Sequence, residues 1–178
     1  MKINILAIAA HPDDVELSCA GTLMVHQKKG FTTGIIDLTQ GEMGTRGTPE
    51  MRLKEAEASA EILKLSVRKN LNLGDSFFEN NKENQLIIAK EIRAYQPDMV
   101  LTNAKFDRHP DHGRGAELVT QACFLAGLKK IETKDDEGNP QKPWRPKKVY
   151  HAIQSTAVMP DFLVDISDVM DKKMESIK

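Results

Sequence analysis

The sequence predicts an α/β domain with a Rossmann-like, mostly parallel sheet and helices on both faces. Strand-like apolar segments alternate along the chain with segments whose apolar residues recur at helical spacing, the pattern of parallel α/β domains. The first of these segments, Ile3–Ala9, is almost wholly apolar, as expected of a strand buried on both faces. At 178 residues the chain is long enough for one domain, which we expect to span residues 1–178.

The first half of the chain carries clear start and stop signals. Thr48 precedes Pro49 and an apolar helical stripe, so it is expected to cap a helix. The expected elements are, in order, a strand at Ile3–Ala9, a helix through Leu17, Ala20 and Met24 that stops at Gly30, a strand at Thr33–Leu38, a glycine-containing loop over 40–47, the helix after Thr48 with Leu53, Ala56, Ala60 and Leu63 on one face, and a short strand at Lys69–Leu73.

The second half continues the alternation. A helix at Leu86–Tyr95 is expected to stop before Pro97, because proline cannot continue a helix. The remaining elements are a strand at Met99–Asn103, a helix at Gly115–Leu128 with apolar residues on two faces, a polar loop at Lys134–Pro146, strands at Lys147–Gln154 and Phe162–Ile166, and a helix that starts at Val169.

Two nearly identical tetrapeptides are the strongest functional signal. His11–Asp14 reads HPDD and follows strand one, and His109–His112 reads HPDH and follows strand four. In a parallel sheet of order 3-2-1-4-5 these strands are neighbours, and ligands bind at their carboxyl ends. Either motif alone could be a simple proline turn. Together they offer His11, Asp13, Asp14, His109, Asp111 and His112, and two imidazoles with a carboxylate form the ligand set of a catalytic zinc site.

Composition and motifs exclude several other classes. The net charge of −1 and the pI of about 6.5 give no basic surface for nucleic acid. No apolar run is long enough to span a membrane. A dinucleotide site needs glycines after strand one, where this chain has two carboxylates, and no phosphate-binding Walker sequence occurs. The two cysteines, Cys19 and Cys123, lack the spacing of a disulfide framework, so we expect reduced thiols and a cytoplasmic protein.

Candidate substrate contacts lie in and after the glycine-containing loop. Arg46 and Arg52 flank it at the edge of the expected site, and a guanidinium binds carboxylates in a bidentate way. An exposed, solvated arginine is the alternative for both. His151 lies on a late strand and could face either the core or the site, whereas Cys19 is expected to be a small buried hydrophobe.

These motifs, taken together, resemble a known enzyme family. The resemblance rests on AHPDD after strand one, QGE at Gln40–Glu42, RGT at Arg46–Thr48 followed by Met51–Arg52, HPDH at His109–His112, and the later stretches AGLKK and WRPKKVYHAIQS. They are similar to the LmbE-like, or PIG-L-like, zinc deacetylases, and most similar to the bacillithiol-biosynthesis branch, whose enzymes remove acetate from N-acetylglucosaminyl malate.

The resemblance implies a role for each motif residue. His11, Asp14 and His112 would bind one Zn²⁺ per chain, with Fe²⁺ as the alternative metal. Asp13 would be the general base, and His109, oriented or charged by Asp111, would stabilise the oxyanion. Arg52, with Arg46 and Glu42 beside it, would contact an N-acetylated amino-sugar conjugate.

The resemblance also bears on the chain's extent and on rival functions. The family usually continues with a further helix and strand, so we expect this domain to be truncated at its C-terminus. We expect a homo-oligomer with no nucleic-acid or membrane partner. A metal-dependent phosphoesterase would use similar ligands but would need a second metal and more cationic groups. A non-catalytic metal- or sugar-binding module would keep the ligands and could dispense with Asp13.

Overall fold

A computed structural model describes residues 1–178 and contains five strands and six helices. The strands are β1 (Ile5–Ala9), β2 (Thr33–Asp37), β3 (Val67–Asn70), β4 (Met99–Thr102) and β5 (Lys148–His151). The helices are α1 (Asp14–Ser18), α2 (Ala20–Gln27), α3 (Pro49–Ile62), α4 (Lys82–Tyr95), α5 (Pro110–Ala126) and α6 (Met170–Glu175), the last preceded by a 3₁₀ turn at Ser167–Val169.

The five strands form one sheet in the order β3-β2-β1-β4-β5, and every neighbouring pair is parallel. The predicted order and the predicted α/β class are therefore confirmed, and the sheet is parallel throughout. Ile8 of β1 is in register with Thr102 of β4, and Thr102 is in register with His151 of β5. The loops after these three strands consequently open side by side at the carboxyl edge.

Helices cover both faces of the sheet, as the continuous apolar strands require. Leu6 and Ile8 of β1 point to one face, where they pack with Ile88 and Ile92 of α4 and with α5. Ile5, Ala7 and Ala9 point to the opposite face and pack with α1, α2 and the end of α3. No helix of the chain has the length and apolar character needed to cross a bilayer.

Three elements differ most from the sequence prediction; the other differences are smaller shifts of element boundaries, such as the start of α4 at Lys82 instead of Leu86 and the position of β3 at Val67–Asn70 instead of Lys69–Leu73. The helix expected through Leu17 and Met24 is divided at Cys19, whose non-helical backbone, with φ of −135° and ψ of 8°, interrupts it. Phe162–Ile166 is not a strand: Phe162 packs edge-on against Tyr150 at 4.9 Å, and Ile166 covers Gly21, where a β-carbon would lie 2.8 Å away. The apolar spacing thus serves packing on the sheet and α2 instead of pairing with the edge strand.

The third difference concerns the second motif. Helix α5 begins at Pro110, five residues before the predicted start. His109 is its N-cap, because the ring Nδ1 accepts the backbone N–H of Asp111 at 3.3 Å, and Pro110 occupies the first turn. Asp111 and His112 therefore project from a rigid first helical turn.

Candidate active site

The two motifs meet at the carboxyl edge of the sheet. The ring centroid of His11 lies 4.8 Å from that of His109 and 5.5 Å from that of His112, and the rings of His109 and His112 stack at 4.9 Å. The predicted convergence of the loops after β1 and β4 is thus what the structure shows.

Asp14 lies between two of these imidazoles. One carboxylate oxygen is 3.0 Å from His112 Nε2, and the other is 3.4 Å from His11 Nδ1. Asp14 is only 4% exposed, and burial alone would raise its pKa. Hydrogen bonds with His11 and His112 instead hold the pKa of this carboxyl far below its ordinary value, so Asp14 is an anion in the folded protein.

His11 faces two further carboxylates through its other ring nitrogen. Nε2 is 3.0 Å from Asp75 Oδ1 and 3.3 Å from Asp111 Oδ2, and both aspartates are buried. Burial lowers the pKa of His11, but contacts with Asp14, Asp75 and Asp111 outweigh it and raise the pKa to about 9. A histidine that binds a metal through one nitrogen commonly donates the other N–H to a carboxylate, and the contacts of His11 Nε2 with Asp75 and Asp111 fit that second role.

The same residues have the chemistry of a metal site. Ring nitrogens of His11, His109 and His112 lie within 4.8 Å of one another, and so do ligand atoms of His11, Asp75 and Asp111. Three buried carboxylates converge on one imidazole, an excess of negative charge that a divalent cation would neutralise. The donor set fits a first-row metal that accepts imidazole and carboxylate ligands.

A comparison with protein families shows which family the chain belongs to. The family model described as PIG-L, GlcNAc-PI de-N-acetylase, matches residues 6–123, about two thirds of the chain. The chain belongs to the PIG-L family. The sequence-based assignment to a family of N-deacetylating enzymes is therefore confirmed.

Individual relatives agree with this. The chain is 29% identical to the diacetylchitobiose deacetylase of Thermococcus kodakarensis, covering 98% of this chain and 68% of the relative. It is 26% identical to a probable N-acetyl-alpha-D-glucosaminyl L-malate deacetylase 2 of Bacillus subtilis, covering 100% of this chain and 82% of the relative.

Solved structures confirm the fold. The conserved protein TT1542 of Thermus thermophilus superposes with a TM-score of 0.91 at 37% identity, over 98% of this chain and 77% of that one. GalB, a 4-carboxy-2-hydroxymuconate hydratase of Pseudomonas putida, superposes with a TM-score of 0.84 at 26% identity, over 100% and 78%. The PIG-L fold thus also carries a hydratase.

Asp13 is the exposed member of the first motif in this PIG-L domain. Its side chain is 57% exposed, and its φ of 133° is a backbone conformation that side chains other than glycine rarely adopt. Burial of part of the carboxyl and the neighbouring Asp14 charge raise its pKa, which Arg52 partly opposes. Asp13 therefore points away from the buried carboxylates toward solvent.

Asp111 does not make its expected contact with His109. Its carboxylate accepts the backbone N–H of Ser76 at 2.9 Å and pairs with Arg114 at 2.9 Å, besides contacting His11. Only the Asp111 backbone reaches His109. Burial, followed by the charges of His11 and His112, lowers the pKa of His109, so the geometry supports a neutral imidazole with its proton on Nε2.

The three candidate substrate residues lie in different environments. Arg46 is exposed and makes no hydrogen bond within the chain. Glu42 is occupied by the backbone, since its carboxylate accepts the N–H of Asp75 at 2.7 Å and that of Gln40 at 3.1 Å. Arg52 donates to Pro12 O at 2.9 Å, to Gly41 O at 3.2 Å and to Asp13 at 3.4 Å.

Sequence reasoning missed four polar residues that support the site: Asp75, Asn103, Asp107 and Gln154. Asp75 follows β3 in a Gly-Asp turn, a weak signal that only the sheet order turns into a site position. Asn103 and Gln154 both donate to Asp14. His151 supports the site less directly, because its Nδ1 lies 3.0 Å from the backbone oxygen of Asn103.

Proposed function

We propose that this PIG-L domain is a metal-dependent amide hydrolase that removes acetate from an N-acetylglucosaminide. The observation that supports this most strongly is that the buried carboxylate of Asp14 lies between the rings of His11 and His112, next to the exposed carboxylate of Asp13. We assign one Zn²⁺ to this cluster, with Fe²⁺ as the alternative metal.

Asp13 would be the general base. A divalent metal held by this cluster would polarise the acetamide carbonyl and lower the pKa of a water from 15.7 to about 7. Asp13, whose side chain is 57% exposed, would accept the proton of that water, and its raised pKa improves it as a proton acceptor. The same carboxyl can then return the proton to the departing amine.

His109 would stabilise the tetrahedral oxyanion as a neutral donor. Its Nδ1 accepts the Asp111 N–H, so the Nε2 proton faces outward from the exposed ring. A neutral imidazole that donates a hydrogen bond to a developing oxyanion needs no charge of its own. Asp111 would orient His11 through its carboxylate, and its backbone N–H would orient His109.

For the substrate we propose N-acetylglucosaminyl malate, as in bacillithiol biosynthesis. Support comes from the motif resemblance and from the Bacillus subtilis relative at 26% identity. Diacetylchitobiose is the competing substrate, because the Thermococcus kodakarensis relative at 29% identity is named for it. The homo-oligomeric state and the cytoplasmic location expected from the sequence stay predictions.

Mass spectrometry of acetate release tests the reaction. The metal-loaded protein is incubated with N-acetylglucosaminyl malate, diacetylchitobiose and free N-acetylglucosamine, with a panel of phosphoesters in parallel. We expect loss of acetate from the malate conjugate first. Phosphoester turnover without acetate release would contradict the proposal, and sugar binding without turnover would indicate a binding module.

A hydratase is the second candidate, because GalB shares the fold at 26% identity. The same cluster could direct water to a carbon–carbon double bond of an unsaturated dicarboxylate. Ultraviolet absorbance of 4-carboxy-2-hydroxymuconate reports this reaction, and its loss at a rate above that of deacetylation would favour the hydratase.

Two variants test the division of labour between the adjacent aspartates. Asp13→Asn should keep its metal while kcat falls about 10²- to 10⁴-fold, the usual worth of a general base. Asp14→Asn should instead lose metal and recover part of its activity with excess Zn²⁺. Metal analysis and deacetylation are measured together; loss of metal from Asp13→Asn with retention in Asp14→Asn would show that the roles are exchanged.

A further inference from the structure

The loop after β5 joins the candidate site through two adjacent residues. Gln154 and Ser155 follow the strand that is in register with β4, so they lie at the same carboxyl edge as the two motifs. Neither residue belongs to the HPDD or HPDH motif. Gln154 contacts the candidate metal ligand Asp14, and Ser155 contacts Asp107, which lies beside the candidate ligand His112.

Gln154 acts on Asp14 together with Asn103. The Gln154 side-chain N–H donates to Asp14 Oδ1 at 3.3 Å, and the Asn103 side-chain N–H donates to Asp14 Oδ2 at 3.0 Å. The two carboxamides also bond each other, at 3.1 Å, and Gln154 Oε1 accepts the Ala104 N–H at 3.0 Å.

The orientation of these carboxamides is fixed by the backbone. Asn103 is 2% exposed, and its Oδ1 accepts the N–H of Ala10 at 2.8 Å, which leaves only the amide nitrogen to face Asp14. Each oxygen of Asp14 thus accepts one carboxamide N–H, in addition to its contact with a histidine ring. Because carboxamides add no charge, the full negative charge of Asp14 stays available to a cation.

Ser155 acts on His112 through Asp107. The Ser155 hydroxyl and backbone N–H both donate to Asp107 Oδ2, at 2.7 and 2.8 Å. The other oxygen of Asp107 lies 3.1 Å from His112 Nδ1, within ion-pair distance but outside hydrogen-bond geometry. His112 presents its opposite nitrogen, Nε2, to Asp14.

We propose that the Gln154–Ser155 dipeptide is a positioning element that sets the orientation of the two candidate metal ligands Asp14 and His112 from a third strand end. The inference rests on the proposed metal site. It assigns a role to the β5 loop that the two motifs alone do not contain: β5 carries no ligand, yet the loop after it fixes two of them.

Metal affinity and coordination geometry, read without substrate, test the proposal. Zn²⁺ affinity is measured by competition with a chromogenic chelator, and the visible absorption of Co²⁺-loaded protein reports coordination geometry. The variants are Gln154→Met, Gln154→Asn, which keeps a carboxamide but shortens its reach, and Ser155→Ala. Far-UV circular dichroism and urea unfolding are recorded for each.

Gln27→Met is the matched control. Its carboxamide is also partly buried and donates to Thr33 Oγ1 at 2.6 Å and to Leu63 O at 2.9 Å, but at the opposite edge of the sheet. This variant should lose stability without a change in metal affinity or in the Co²⁺ spectrum.

We expect both Gln154 variants to weaken Zn²⁺ binding about 10- to 100-fold, the usual effect of removing a residue that orients a ligand, and Ser155→Ala to weaken it by at least about threefold. The Co²⁺ bands should shift in all three. If Gln154→Met does not fold, Gln154→Asn and Ser155→Ala carry the test.

Two results would overturn the inference. One is Zn²⁺ affinity within about twofold of wild type, with an unchanged Co²⁺ spectrum, in the folded Gln154 and Ser155 variants. The other is an equal loss of affinity in Gln27→Met, which would make the effect one of general stability. Failure of the wild-type protein to bind metal at all would instead refute the proposed metal site.

Discussion

Arg52 offers the sharpest test of how the candidate site is held together. Its guanidinium donates to the backbone oxygens of Pro12 and Gly41 and to the carboxylate of Asp13, and its side chain is 20% exposed. A substrate carboxylate could be gripped by both terminal nitrogens only if it displaced these protein acceptors. The geometry therefore favours a structural role for Arg52, in which it stabilises the strained turn that carries Asp13. The sequence instead predicts that Arg52 binds a carboxylate of the substrate.

The size of the effect follows from the contacts. Arg52→Ala removes two hydrogen bonds from a charged donor to backbone oxygens and one weak ion pair. Bonds of this kind are worth about 1.5–3 kcal/mol when well formed, and the longer ones here are worth less. We expect a loss of about 1–3 kcal/mol in transition-state stabilisation, or about 5- to 150-fold in kcat/KM. Arg52→Lys should recover little, because an ammonium is not a planar fork.

Two glycines supply an independent perturbation. A β-carbon at Gly41 would lie 2.5 Å from Arg52 Cζ, so Gly41→Ala should expel the guanidinium. Gly47→Ala has a similar backbone cost, since φ is +77° there against +65° at Gly41, but its β-carbon would meet only Met51 at 4.0 Å. Gly41→Ala should reproduce the activity loss of Arg52→Ala, and Gly47→Ala should not.

The assay compares N-acetylglucosaminyl malate with free N-acetylglucosamine. Because Arg52 would stabilise the turn that carries Asp13 and would not contact the substrate, Arg52→Ala should lower kcat by a similar factor on both substrates. If Arg52→Ala instead raised KM for the malate conjugate far more than for free N-acetylglucosamine, this reasoning would be refuted, and Arg52 would be a substrate-binding residue. Normal activity in Gly41→Ala would refute it as well.

Three further predictions concern buried charges. Asp75→Asn removes a carboxylate from His11 Nε2 and should weaken Zn²⁺ binding about 10- to 100-fold, as measured by chelator competition; unchanged affinity would exclude a supporting role for Asp75. Arg68→Met leaves Glu16 and Asp37 buried without their shared cation, so urea unfolding should show a loss of about 3–5 kcal/mol, and a loss below about 1 kcal/mol would contradict this. Burial raises the pKa of Asp37 from 3.8 to about 6, against the opposing effect of Arg68, so folding favours the protonated form. Relative to Asp37→Asn, wild-type stability should be greatest below pH 3.8 and should fall as the pH rises through 6, which paired urea titrations measure; a rise over this interval would reverse the sign assigned here.

The sheet and the meeting of the two motifs were predictable because both follow from repeating patterns. Continuous apolar strands alternating with helices leave few topologies, and parallel strands bring their following loops to one edge. Each motif also combines a proline with several polar residues, which distinguishes it from an ordinary loop. His11 and His112 could therefore be placed near each other before any coordinates.

The supporting residues could not be predicted because each is a single polar residue whose partner is distant in sequence. Asn103 and Gln154 contact Asp14 across 89 and 140 positions. Arg68 lies in a run of polar residues in β3 and resembles an exposed strand residue, yet its side chain is only 8% exposed between Glu16 and Asp37. The Asp111 carboxylate contacts His11 and not His109 because of the N-cap geometry of α5, which the motif letters do not contain.

Because Asp13 has a positive φ, selection for stability and selection for activity should favour different residues at this position. Glycine adopts φ near 133° without the cost of about 1–3 kcal/mol that other residues incur there, so Asp13→Gly should raise the melting temperature. The same change removes the carboxylate on which proton transfer is proposed to depend. A library of variants screened for heat resistance should therefore enrich glycine at this position, and one screened for turnover should retain aspartate, a local conflict between stability and activity.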